Sequence, residues 1–122
     1  MITKYDLKIG NIIRYKKTGD IGKVVKLGGS VIIRVGKSAI IDNYKQFEGI
    51  YLSRELLLKS DMNRSYNDTL ETEGFYFDGY EYVLFEGNKE VQCQRTSVFV
   101  KYFHELQNLI YTTDKNFLCI NL

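Results

Sequence analysis

The run Gly22-Lys23-Val24-Val25-Lys26-Leu27-Gly28-Gly29-Ser30-Val31-Ile32-Ile33-Arg34-Val35-Gly36-Lys37-Ser38-Ala39-Ile40-Ile41-Asp42 decides the fold. Its β-branched residues come in three short stretches, 22–27, 31–35 and 38–42, cut by Gly28-Gly29 and Gly36-Lys37. Glycine pairs and Gly-X steps of this kind close two-residue hairpins. Upstream, residues 11–17 read as a further strand turned by Thr18-Gly19-Asp20. Four short strands joined by tight turns predict a small barrel or a strongly curled meander.

Alternation assigns two faces to each strand. Ile13 and Tyr15 are expected inward, with Arg14 and Lys16 outward. Val25 and Leu27 are expected inward, with Lys26 outward and Lys23 at the strand end. Val31, Ile33 and Val35 inward leave Arg34 in solvent. Arg14, Lys16, Lys26 and Arg34 thus share one face, with Lys17, Lys23 and Lys37 near the turns. These seven are the candidate nucleic-acid-binding residues, and Tyr5, Tyr15 and Tyr44 would add base stacking. A merely solvated basic face is the competing reading.

Further along, residues 53–60 predict a short helix capped by Ser53, and residues 61–74 a polar loop. Phe75-Tyr76-Phe77, Asp78-Gly79 and Tyr80–Phe85 form a hairpin signature, and residues 90–95 extend it to a three-stranded meander. From Ser97 or Val98 to Thr112 the apolar spacing turns helical, with Phe99, Tyr102, Phe103, Leu106, Leu109 and Ile110 on one stripe. The predicted class is therefore α+β. A basic β portion over 1–48 joins an acidic α+β portion over 49–122 in one continuous unit.

Charge follows the same division. Residues 1–45 carry ten basic and three acidic side chains, net +7, and the remainder is net −5, giving +2 in 122 residues. Sorted charge of this kind points to a surface that meets an anionic macromolecule. Residues 68–90 hold seven acids against Lys89 alone, interleaved with aromatics. Tyr76, Asp78, Tyr80, Glu81, Tyr82 and Glu86 are the candidate protein-binding residues there, suited to a basic partner.

Catalytic signatures are sparse. His104 is the single histidine, and Cys93 and Cys119 stand apart without a Cys-x-x-Cys pair, so no metal or other cofactor is expected. His104 is expected on a helix surface, hydrogen-bonded to Glu or Asn. Neither a P-loop nor a GxGxxG stretch occurs. A carboxylate-dependent enzyme is the third reading, behind two binding functions. No apolar run reaches the ~20 residues of a membrane helix, and the charged start lacks a signal core. A cytoplasmic protein with reduced thiols is expected, and the oligomeric state is left open.

Three blocks carry a resemblance. Leu7-Lys8-Ile9-Gly10-Asn11-Ile12-Ile13, then residues 50–58, and above all Lys101-Tyr102-Phe103-His104-Glu105-Leu106-Gln107-Asn108-Leu109 resemble short uncharacterised proteins of Bacteroides-group bacteria, their phages and mobile elements. This chain departs from them at residues 112–116, where a Thr-Gly-containing turn is more usual. The group brings no established activity and no functional residues. What the resemblance implies is context: a phage-type binding protein docking on a host nucleic-acid-handling protein or ribonucleoprotein, as anti-CRISPR inhibitors do. The N-terminal portion also resembles SH3-like modules, which bind nucleic acids or peptides.

Overall fold

The computed structural model describes residues 2–64, 72–77, 80–85, 90–94, 96–114 and 117–120. Two five-stranded antiparallel sheets are joined by two helices. The first contains β1 (Ile12–Tyr15), β2 (Ile21–Leu27), β3 (Val31–Val35), β4 (Ser38–Asp42) and β5 (Phe47–Glu48), in the order β4-β3-β2-β1-β5. Its turns fall where the glycine signals put them, and it curls into a half-barrel. A 3₁₀ turn, Tyr44–Gln46, carries the chain back so that β5 pairs with β1, Tyr15 opposite Phe47.

The concave face of this sheet holds its own core of Ile13, Val24, Val31, Ile33 and Phe47, closed by Ile2 and Leu7. Gly22 lies on that face because the curl leaves no room for a side chain. A Cβ there would stand 2.6 Å from the Arg34 carbonyl oxygen.

One assignment of the alternation is overturned. Val24, not Val25, points inward: Val24 is fully buried and Val25 is exposed. The register shifts between Val24 and Lys26, because Val24 pairs with Ile33 and Lys26 with Ile32. Val25 is the extra residue of a β-bulge, which restarts the alternation one position late.

After β5 the chain enters α1 (Arg54–Leu58), whose Ser53 hydroxyl accepts from the Leu56 amide as an N-cap. The second sheet contains β6 (Asn63–Arg64), β7 (Thr72–Phe77), β8 (Tyr80–Phe85), β9 (Glu90–Cys93) and β10 (Phe99–Val100), in the order β10-β9-β8-β7-β6. It packs against α2 (Phe103–Asp114) around Phe75, Tyr82, Leu84, Val91, Phe103, Leu106 and Ile110. The whole is α+β, as the sequence predicts.

The second helix begins later than its apolar spacing predicts. Ser97, at φ 58°, makes a tight turn in which its amide donates to the Cys93 carbonyl and Cys93 donates to Val98. Phe99 and Val100 then pair with Gln92 and Val91 as an edge strand. The helix starts where the Glu105 carboxylate reaches back to accept from the amides of Lys101 and Tyr102, at 3.1 and 3.0 Å. Residues 117–120 do not form a full strand. They contribute the buried Leu118 and a single bridge, Ser60 to Ile120.

Backbone bonds tie the segment after β5 to the start of α2, and one polar node ties the first sheet to α2. Phe103 donates to the Ile50 carbonyl and Leu52 to that of Lys101, each at 2.9 Å. Gln107, on α2, is fully buried. Its Nε2 donates to the carbonyls of Gly10 and Leu118, and its Oε1 accepts from the Ile12 amide and Asn11 Nδ2. Asn108 adds a bond from Asn11 Nδ2 at 2.8 Å and donates to the Asp6 carbonyl. Ile12 and Ile21, on the convex face of the first sheet, are thereby drawn into the core beneath α2.

Candidate functional site

The seven basic candidates do not lie together as one group. In the paired rows of the first sheet, Ile12 lies opposite Lys23, Lys23 opposite Arg34, and Arg34 opposite Ala39. Directly opposed residues share a face, so Lys23 and Arg34 project from the convex side. Lys26 lies opposite Ile32, two positions from Arg34, and therefore joins them. Lys23 and Lys26 are three residues apart and would face opposite ways in a regular strand. The bulge at Val25 is what brings both onto one surface.

All three are exposed, and among the described residues none of them makes an ion pair. Two cations set directly across a strand pair repel, at a cost of order a few tenths of a kcal/mol. Ile32, Ala39 and the exposed Ile41 lie beside them on the same face.

The other four are differently placed. Arg14 is on the same face but pairs with Glu48 at 3.6 Å. Lys17 binds Asp42 at 3.3 Å, and the same carboxylate oxygen accepts from the Tyr15 hydroxyl at 2.6 Å. Those contacts hold Asp42 below the usual carboxylate range, chiefly through the Tyr15 hydroxyl. They raise Lys17 and Tyr15 above theirs, chiefly through the bond to Asp42. Lys16 is exposed at the exit of β1, and Lys37 is exposed in the β3–β4 turn.

Of the tyrosines considered for stacking, Tyr15 packs on Phe47 with ring centres 5.2 Å apart, and the Tyr44 hydroxyl donates to the Gly28 carbonyl. Tyr5 alone of the three is open, at 92% exposure.

On the second sheet, Tyr82 is removed from any surface role: it is buried in the core beside Phe75. Tyr80 is half-buried against the same core. Tyr76 and Glu81 lie opposite each other on the outer face, with Tyr76 exposed. Asp78 and Glu86 lie outside the described residues. The outer face also carries Phe85 in ring contact with the half-exposed Phe99, centres 5.7 Å apart, beside the exposed Val98. Sequence periodicity places Phe99 on a buried helical stripe and so does not disclose this patch.

The expectation of a surface histidine is overturned as well. His104 is buried, stacked on Tyr102, and its Nδ1 has no hydrogen-bond partner among the described residues. Burial holds its imidazole below the ordinary range, toward the neutral form. Gly49 makes this packing possible, since a Cβ there would lie 2.7 Å from the Tyr102 ring and 2.8 Å from His104 Cε1.

Cys93 is buried and Cys119 exposed, both as free thiols. No cluster of three or more His, Cys, Asp or Glu suited to a metal occurs among the described residues. A cleft of about 260 Å³ lies between β1 and α1, lined by Arg14, Tyr51, Ser53, Glu55 and Lys59. That is below the ~300–1,000 Å³ typical of small-molecule sites. No helix among the described residues is long and apolar enough to cross a membrane. No protein-family profile, curated protein or solved structure matches the chain.

Proposed function

We propose that this protein acts by binding, without turnover, and docks on a nucleic-acid-handling assembly with the convex face of its first sheet against phosphates. The observation that carries the reading is the bulge at Val25, which gathers Lys23 and Lys26 beside Arg34 on one open face. Bulges recur where a strand must re-aim a side chain. The like-charge pair this creates costs stability unless an anion lies over it. An SH3-like assignment for residues 1–48 is supported by the strand order and by the 3₁₀ turn leading into β5. The resemblance to phage and mobile-element proteins favours an anti-defence role, in the manner of an anti-CRISPR inhibitor.

Retention on immobilised RNA and DNA across a salt series tests this. Lys23→Glu with Arg34→Glu is expected to abolish retention, and neutral Gln variants to flatten the log–log salt slope by about 1.5–2. Unchanged retention in the charge-reversed protein would rule the reading out.

A second reading, docking on a protein partner, is favoured by the exposed Phe99 and Val98 beside Phe85. Under it, capture of a host nuclease complex survives the Lys23 and Arg34 changes and fails with Tyr76→Ala or Glu81→Lys.

A further inference from the structure

The two sheets have four edges among the described residues, and three of them are two-residue strands: β5, β6 and β10. Very short edges resist pairing with other chains. The fourth, β4, is five residues long and reads Ser38-Ala39-Ile40-Ile41-Asp42, with none of the lysines, prolines or bulges that usually protect an edge.

Its open side can be assigned residue by residue. Val35 and Ser38 flank the two-residue Gly36-Lys37 turn and so exchange both ladder bonds. The alternation then directs the N–H and C=O of Ile40 toward β3, and those of Ala39 and Ile41 outward. Among the described residues, the backbone of Ala39 and Ile41 makes no bond besides those within the sheet. Ile41 is 64% exposed on the convex face, beside Ala39 and the partly exposed Ile32.

We propose that β4 pairs antiparallel with β4 of a second copy of this chain, about a two-fold axis at Ile40. The strand is self-complementary in that register. Ala39 faces Ile41 of the second copy and exchanges both outward hydrogen bonds with it, and the two-fold repeats the exchange, giving four bonds. The small side chain of Ala39 leaves space for Ile41, and Ser38 faces Asp42 as a hydroxyl against a carboxylate. Other pairings centred one residue away place Ala39 on Ala39, or Ile41 on Ile41, and lose one of the two reciprocal exchanges. No cation is set against a cation: across the new seam the neighbour of Arg34's row is Ile41, followed by Ile32. A ten-stranded sheet results, with an apolar stripe at its centre and Lys23, Lys26 and Arg34 of each copy on its flanks. The inference stands without the nucleic-acid reading, although it would double that surface.

Light-scattering or sedimentation mass across about 1 µM to 1 mM tests it, a range suited to a small interface. The mass is expected to climb from the 14.2 kDa of one chain toward twice that value. Ile41→Lys should leave far-UV circular dichroism unchanged and keep the mass at one chain. Ala39→Pro removes a donor used only across the seam and should weaken association at least about tenfold. Amide exchange at Ala39 and Ile41 should slow as concentration rises. A wild-type chain that stays monomeric throughout overturns the proposal and leaves the edge to a foreign strand. So does a dimer that survives both substitutions, or one in which those two amides exchange at the monomer's rate.

Discussion

Gln107 shows how one side chain can tie a sheet to a helix, here the first sheet to α2. A buried amide offers two donors and an acceptor with two lone pairs, and here all four are used, on Gly10, Leu118, Ile12 and Asn11. Replacing it with an apolar residue of similar size would strand the Ile12 amide and the Leu118 carbonyl, both in buried bonds, and leave the part-buried Gly10 carbonyl without its partner. Each such group costs about 1–3 kcal/mol. Gln107→Leu is therefore expected to lower stability by about 3 kcal/mol or more, checked by urea unfolding against wild type. A loss under about 1 kcal/mol would mean that water replaces the node.

At this scale the sequence was only partly legible. The block from Lys101 to Leu109 stood out as specific, but its reason did not. Its distinctive residues are structural: Phe103, His104, Leu106 and Gln107 are all buried. A glutamine four residues from Phe103 reads equally well as a solvated position, and periodicity alone cannot distinguish a buried polar hub from a surface one. The burial of His104 is hidden in the sequence for the same reason.

Among the elements, strands and turns were readable because glycine-bearing turns punctuate β-branched runs. The faces of β2 were not. In Lys23-Val24-Val25-Lys26 either valine completes an alternation, and only pairing with Ile33 and Ile32 decides between them. The start of α2 was obscured because Val98, Phe99 and Val100 fit both a helical stripe and a short strand. The turn at Ser97 and the carboxylate of Glu105 favour the strand, and neither has a strong local signature.

Curvature of the first sheet is an element-scale property with its own test. Gly22 admits the backbone of Arg34 to within 2.6 Å of where a Cβ would be, and the side chains of Val35 and Ile33 press from the same side. Backbone cannot yield as a flexible side chain does. Gly22→Ala is expected to cost about 1–3 kcal/mol, in the range of core overpacking. A neutral outcome in thermal unfolding would show that the sheet flattens freely.

For the whole molecule, the described ion pairs respect the division of charge. Arg14 to Glu48 and Lys17 to Asp42 lie within the basic portion, and Lys101 to Glu90 lies within the acidic one. What joins the portions is largely uncharged: the bonds of Gln107 and Asn108 to residues 6–12 and the apolar contacts of Ile12 and Ile21, with Lys8 Nζ 4.7 Å over the Tyr111 ring as a cation–π contact. Coupling of this kind predicts a single cooperative unfolding transition. Tyrosine fluorescence and far-UV circular dichroism should give coincident curves in denaturant, and two separated midpoints would contradict the coupling.

The covering of Ile12 and Ile21 by the second helix also bears on how the chain is made. Both isoleucines lie in β1 and β2, whereas the helix that shelters them is translated well after those strands. Until that helix is made, the nascent half-barrel carries an uncovered oily patch, so a chaperone able to shield it is expected to raise the yield of folded protein.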